Sequence, residues 1–348
     1  MYIGGVVDHT NIALRRDFHD AIQPFSGFIS SQIVVNDNVF DLTSDSTDHG
    51  FTDEKMKDYL QNMLYYDMSR PLPRVLSKRK HDMSDPTMFR FPVATAISSN
   101  HANEASDMIF SVVDVMSDRG ILVYDLGLTP SHVKRLMSFC NVSVRQMPWD
   151  VYGAARRDVY DMRWKPIILN SVMQEFGGVL YADASIRFKK SINSIGLLRD
   201  GPGFVGFGPQ STSPTGAFTH DGTLQSFGVN RSEVAQTAIT IGGVQIWIDH
   251  KETVRDLLMR QWLSCAISEQ CMAPRGSSRF NCQFSLRYTG KFMGCHRYDQ
   301  SAISVILWKA FADATANSYQ LNHPHDLEYL EIERFPTHHH RQCFAQRP

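Results

Sequence analysis

The chain has 348 residues, 43% hydrophobic and 20% charged, with Lys+Arg 35 against Asp+Glu 36 and a formal net charge of -1. That apolar content supplies a sizeable core and excludes disorder as the overall state, while the charge balance argues against nucleic acid as a partner. No apolar run approaches the roughly 18 residues of a membrane span, and the start lacks the basic and apolar regions of a signal peptide, so neither is expected.

Residues 1–88 differ in character from the rest of the chain. They hold a polar cluster (Asp41 to Asp48), Pro71-Leu-Pro73 and the basic run Lys78-Arg-Lys80, interrupted by one helical pattern from Asp53 to Met68. This composition predicts an N-terminal extension or stem, with the basic run as a solvated linker. Residues 89–335 are expected to form one large domain, and 336–348, with His338-His-His340, a C-terminal tail.

From Phe91 the pattern is regular. Phe91-Pro-Val-Ala-Thr-Ala-Ile97 predicts a buried strand, and Ala105, Met108, Ile109, Val112, Val113 and Met116 form the stripe of an amphipathic helix. Gly120 stops that helix before the strand Ile121-Leu-Val-Tyr124, which ends at Asp125. Thr129-Pro130 supplies an N-cap and a proline at the first helical position, starting a helix to about Phe139. Val142-Ser-Val144 is a third strand. A mostly buried helix follows over Trp164–Phe176, closed by Gly177-Gly178, and Val179-Leu-Tyr-Ala182 is the strand that runs into Asp183. Alternating strands and helices predict an α/β fold, a doubly wound, mostly parallel sheet with its ligand site beyond the carboxyl ends of the strands. Those ends carry Ser98-Ser-Asn100, Asp125 and Asp183-Ala-Ser185.

Further on, Gly201–Pro209 and the Ser/Thr/Gly-rich 211–228 predict a mobile loop over the site. Thr240–Ile248 predicts an apolar strand whose paired glycines admit an acceptor sugar or a close backbone. Trp247 is either a sugar-stacking or a core residue. Cys265, Cys271, Cys282 and Cys295 do not match the paired spacing of structural zinc. Local disulfides in an oxidising compartment and ordinary reduced cysteines both remain open.

Lys165 to Phe188 resembles a segment of the GT-A type nucleotide-diphospho-sugar glycosyltransferases. A Lys-led helix (Trp164-Lys-Pro166) precedes the strand Val179-Leu-Tyr-Ala-Asp-Ala-Ser185, where that superfamily places Asp-x-Asp. His296-Arg-Tyr-Asp-Gln300 is similar to the Asp-Gln opening of a late helix in many of these enzymes. Residues 91–335 resemble an animal branch of the superfamily with Asp-x-Ser in place of Asp-x-Asp.

The resemblance implies a GT-A type domain that moves a sugar from a nucleotide-diphosphate donor, a UDP-sugar foremost, to a hydroxyl of a glycan, protein or lipid. It also implies a Golgi or endoplasmic-reticulum lumen, with an anchor either cut away upstream or never present; with no signal or anchor visible in this chain, a cytoplasmic location stays open. Ser98, Asn100 and Asp125 would line the nucleoside pocket. Asp183 with Ser185 would hold the donor diphosphate and a Mn²⁺ or Mg²⁺ ion, with His296 or His325 as a late third ligand. A hydroxyl is a poor ligand for a hard cation, so Ser185 weakens that metal site. Cationic groups, Lys165 or Arg163, would stabilise the diphosphate instead, whereas Arg156 and Arg157 suit surface ion pairs. Asp299 is the candidate catalytic carboxylate, against a plain helix N-cap. The alternative function is a catalytically silent member of the fold that binds glycan or nucleotide. A nucleotidyltransferase ranks last, because no glycine or basic residue follows the first strand closely.

Overall fold

The computed structural model describes residues 91–147, 158–195, 202–207, 213–249, 252–311 and 328–334, and the backbone of short strands at 32–35, 38–41 and 320–321. The helix expected over Asp53–Met68, the basic run, Arg156, Arg157, His325 and the C-terminal tail lie outside the described residues.

Strands β1 (Gln32–Val35) and β2 (Asn38–Asp41) form an antiparallel hairpin. The domain proper starts at β3 (Val93–Ile97), whose apolar run is buried because both faces of the sheet are covered. Helix α1 (Ala102–Val115) follows, with Ala105, Met108, Ile109 and Val112 fully buried along the predicted stripe. After β4 (Ile121–Asp125), Thr129 caps α2 (Pro130–Leu136) by accepting from the His132 N–H at 3.3 Å. That helix ends three residues earlier than its pattern suggests. Strand β5 (Val142–Gln146) precedes α3 (Trp164–Phe176), which stops at Gly177 with φ 72, a conformation glycine adopts without penalty.

Strand β6 (Gly178–Ala182) is fully buried, and β7 (Ile186–Phe188) turns away to pair with β11 (Leu330–Ile332). Strand β8 (Phe204–Phe207), helix α4 (Asp221–Ser226) and strand β9 (Val244–Ile248) come next. Helix α5 opens with a π-helical stretch, Glu252–Met259, and continues as an α-helix over Arg260–Ile267. Helix α6 (Tyr298–Phe311) and β10 (Gln320–Leu321) precede β11.

Among the described residues the main sheet has seven strands in the order β10-β8-β9-β6-β3-β4-β5. Strands β3, β4 and β5 are parallel neighbours, and β6 is parallel on the other side of β3. Strand β9 is antiparallel to both β6 and β8, and β10 is parallel to β8. The mixed, mostly parallel sheet expected from the sequence is therefore present, with β9 running against the others. Separate apolar cores cover its faces. One packs α3, α5 and α6 around Trp247 and Trp262; the other packs α1 with β7 and β11. Among the described residues no helix is long and apolar enough to cross a membrane.

Two expectations are corrected. The stretch 204–228 is not a loop in its described part: Phe204, Phe207, Phe218, Leu224 and Phe227 are buried, and β8 sits inside the sheet. A side chain on Gly206 would meet Thr240 Cγ2 at 3.0 Å, so the glycine marks close packing rather than a hinge. Trp247 is a core residue, fully buried and stacked on Trp262 at 5.4 Å with its Nε1 donating to Gln245 Oε1.

Candidate active site

The chain steps from β3 outward to β4 and β5, then returns to β6 on the opposite side of β3. That reversal opens a crevice over the carboxyl ends of β3 and β6. Register fixes what stands there. Ala94 pairs with Tyr181 and Ile97 with Asp125. By that register Asp183 stands level with Ala96 and Asp125 with Ile97, so Asp183, Ser98 and Asp125 end three neighbouring strands within two residues of one level, the outer two strands about 10 Å apart at sheet spacing.

A lysine clasped between two carboxylates occupies the crevice. Lys165, in the first turn of α3, places Nζ 2.8 Å from Asp299 Oδ2 and 3.5 Å from Asp183 Oδ1. The same Nζ donates to the Gly242 carbonyl at 3.0 Å and lies 4.7 Å from the Tyr181 ring centroid and 5.5 Å from that of Trp164. Tyr181 donates its hydroxyl to Asp183 Oδ1 at 2.6 Å. Burial pushes the Lys165 pKa down, but the charges of Asp183 and Asp299 outweigh it and hold the ammonium above its ordinary range. Burial likewise pushes Asp299 up, against the pull of Lys165, and the Asp183 charge adds to the rise. Burial and Asp183 drive the Tyr181 phenol well above its usual value, which keeps it a donor.

Helices α3 and α6 both point their N-termini here, each equivalent to about half a positive charge. With the ammonium, these offset two carboxylates. Asp299 and Lys165 are committed to each other, whereas the Asp183 side chain is 41% exposed and presents Oδ2 to the crevice. Chemically, the arrangement offers an open carboxylate oxygen for substrate hydroxyls and, behind it, a buried carboxylate–ammonium pair for proton or charge handling.

Gly242 and Gly243 make room for this pair. A Cβ on Gly243 would stand 3.0 Å from Asp183 Oδ2, and one on Gly242 would stand 3.1 Å from Asp299 Oδ2. The open approach expected at these glycines is thus taken by the protein's own carboxylates. Gly243→Ala is expected to turn the Asp183 carboxylate aside while lowering stability by only about 1 kcal/mol. Urea denaturation checks it: a loss well above that size would mean that the backbone, not the carboxylate, gives way. Tyr298, with φ 41, holds a left-handed backbone immediately before Asp299, and Met162, with φ 57, does so just before α3. Bulky residues adopt this conformation only at a cost, and such strain gathers at functional sites.

The remaining candidates are scattered. Ser98 Oγ donates to Asn100 Oδ1 at 2.6 Å in the turn after β3, next to the crevice. Asp125 spends Oδ1 on the N–H groups of Gly127 and Leu128 and accepts from Gln146 Nε2 on Oδ2. It therefore closes a turn, at one end of an open groove of about 670 Å³ between the β4 and β5 exits and α2. The Ser185 carbonyl accepts from Glu333 N–H at 2.7 Å, which ties the Asp-x-Ser turn to β11. Arg163 is buried and donates to the carbonyls of Ala266, Ser268, Glu269 and Ala273 at the end of α5; it is a helix-end clamp rather than a phosphate ligand. His296 is buried in another cluster. Its Nδ1 accepts from His220 N–H, which leaves Nε2 to donate to the Met272 carbonyl at 3.0 Å.

A Mn²⁺ or Mg²⁺ ion does not fit this donor set. Among the described residues no three His, Cys, Asp or Glu side chains converge. Asp299 is held by Lys165, the second position of the expected pair is Ser185, and His296 is engaged elsewhere. Among the described residues, which do not include His325, one open carboxylate oxygen remains, and the ammonium sits between the two carboxylates.

Sequence reasoning passes over Tyr181, which reads as one more apolar strand position. The apolar run of β6 carries no sign that its hydroxyl turns to the carboxylate two residues on.

Residues 53–170 match a family described as "Protein of unknown function (DUF1647)", beginning inside the stretch expected to be an extension. No curated protein matches the chain. Among solved structures, the WbbM bifunctional glycosyltransferase is 14% identical over 56% of this chain, with a TM-score of 0.35; the chain spans 35% of that protein's length. The galactosyltransferase LgtC with donor and acceptor sugar analogues is 14% identical over 63% of this chain and 70% of its own, TM-score 0.34. The mannosyltransferase Ktr4p from S. cerevisiae in complex with GDP is 8% identical over 73% and 75%, TM-score 0.37. No residue role passes from these structures to this chain.

Proposed function

We propose that the chain is a glycosyltransferase that binds a nucleotide-diphosphate sugar, a UDP-sugar foremost, across the crevice at β3 and β6 and transfers the sugar to an acceptor hydroxyl. The observation that carries this reading is the Lys165 ammonium held between Asp183 and Asp299 at the sheet's reversal point, with two glycines admitting the carboxylates. A doubly wound sheet binds its ligand there. Asp183 Oδ2 suits the hydroxyls of a ribose or donor sugar, and the Ser98–Asn100 turn suits the nucleoside. Asp299, kept dry and paired, contacts the donor sugar or takes the acceptor proton. Lys165 and the two helix N-termini supply positive potential as the diphosphate leaves, so no protein-held metal is required. The two disulfides, Cys265–Cys271 and Cys282–Cys295, favour an oxidising lumen such as the Golgi or endoplasmic reticulum.

The test is a thermal-shift titration with UDP, GDP and CMP, in Mn²⁺ and in EDTA. A nucleotide present at 100 times its dissociation constant stabilises the fold by about 2.7 kcal/mol. One nucleotide is expected to do so equally in both buffers, with the effect lost in Asp183→Ala. A shift that requires Mn²⁺ would remove the metal-free reading, and no shift with any nucleotide would remove the transferase.

A further inference from the structure

Residues 270–298 carry Arg275, Arg279, Arg287, Lys291 and Arg297 and no Asp or Glu, in a chain whose net charge is -1. The same stretch shows its aromatics to solvent. Phe280 is 62% exposed, Phe284 60% and Tyr288 66%, and Tyr160, across from them, is 61% exposed. Leaving each such ring in water forgoes about 1.5–3 kcal/mol of burial, so four together call for a purpose.

The rings are organised by the cations. The Arg279 guanidinium lies 5.1 Å from the Tyr160 ring and 4.9 Å from that of Phe280, and Arg287 lies 5.2 Å from Phe284 and 6.0 Å from Tyr288. The stretch is also braced. Cys282–Cys295 closes it, Gln283 N–H donates to the Met293 carbonyl at 2.7 Å, and Met293 N–H donates to Ala217 O at 2.9 Å. Met293 and Cys295 are fully buried beneath the display. A fixed array of alternating rings and guanidinium forks is pre-organised for a ligand.

This surface leads directly into the candidate site. Arg297 stands two residues before Asp299 and close enough to Arg287 and Arg334 to feel their charge. His296 N–H donates to the Ser278 carbonyl at 2.7 Å, which ties the segment to the start of α6. We propose that the braced segment 275–297, with Tyr160, is the acceptor subsite of this site and takes an acidic glycan bearing uronate or sulfate groups. The proposal rests on the transferase reading and narrows its acceptor class. Guanidinium forks pair bidentately with carboxylate and sulfate oxygens, and the ring faces cover the apolar faces of pyranose rings.

The experiment measures binding of the full chain to fluorescent hexasaccharides of chondroitin sulfate, of hyaluronan and of uncharged chitin. An oligothymidylate and phosphatidylserine vesicles serve as competing anions. An acidic hexasaccharide is expected to bind at least about tenfold more tightly than the neutral one, and the two acidic probes separate sulfate from uronate. Arg279→Gln and Arg287→Gln are each expected to lose about tenfold, and Phe280→Ala with Phe284→Ala to lose a similar factor at constant charge. Phe280 and Phe284 are exposed and Arg279 and Arg287 half-buried, so melting temperatures are measured for every variant and are expected to stay near that of the parent. Equal binding of neutral and acidic glycans, binding untouched by loss of the rings, or preference for DNA or vesicles would each overturn the proposal. Nucleotide binding without glycan binding overturns it while leaving the transferase standing. Glycan binding without nucleotide binding removes the transferase and, with it, the acceptor assignment.

Discussion

Replacing Lys165 by methionine is expected to destabilise the protein by about 3–5 kcal/mol at neutral pH, the cost of leaving a buried carboxylate without its partner. Asp299 is 6% exposed, and Lys165 is its counter-charge at 2.8 Å. Asp299→Asn is expected to cost less, because Lys165 keeps Asp183 and the Gly242 carbonyl. The double variant should recover part of the loss, with a coupling above about 1 kcal/mol. The pH dependence has a definite sign. Without the ammonium, burial and Asp183 both push Asp299 above its unfolded pKa. The folded variant then binds the extra proton, and its deficit shrinks as pH falls. Urea denaturation of the four proteins at two pH values measures this. Strictly additive losses with no pH effect would mean that the clasp is an incidental contact.

The second large effect is acid sensitivity from His296. Burial lowers its pKa to about 4. Between pH 6.5 and about 4 the unfolded chain takes up a proton that the folded one does not, so stability falls with pH. The full loss is about 3 kcal/mol. Just before the turn that opens α6, the neutral ring accepts the His220 N–H on Nδ1 and donates from Nε2 to the Met272 carbonyl; a proton on Nδ1 breaks the first contact, so charging it loosens the frame around Asp299. Carboxylates titrate in the same range; the difference between the parent and His296→Gln isolates the histidine. The variant starts less stable but should lose about 3 kcal/mol less on acidification. Parallel stability–pH curves for the two would count against a buried neutral imidazole.

The order of strands and helices from Phe91 to Ala182 is legible because each element states its own period: a stripe in α1, apolar runs in β3, β4 and β6, and Thr129-Pro130 at α2. Asp183, Lys165 and Asp299 can each be singled out, but their meeting cannot. It depends on β9 entering the sheet backwards beside β6 and on α6 docking against α5, and neither leaves a local pattern. The stretch 204–226 misleads for the opposite reason. Its Gly, Ser and Thr content mimics a loop, while a few phenylalanines decide that its described residues, 204–207 and 213–226, pack. His296 resembles a ligand in sequence and lies at a backbone crossroads, a role defined by the His220 N–H and the Met272 carbonyl.

The clasp joins groups far apart in the chain. Lys165 reaches Gly242, 77 residues on, and then Asp299, further still. Contacts of such long range form late, after local helices and the β3–β5 sheet edge have gathered. During synthesis, therefore, Lys165 and Asp183 emerge well before the helix that completes them. A partly made chain carries Lys165 and Asp183 without Asp299, and the proposed sugar transfer can begin only when α6 has docked.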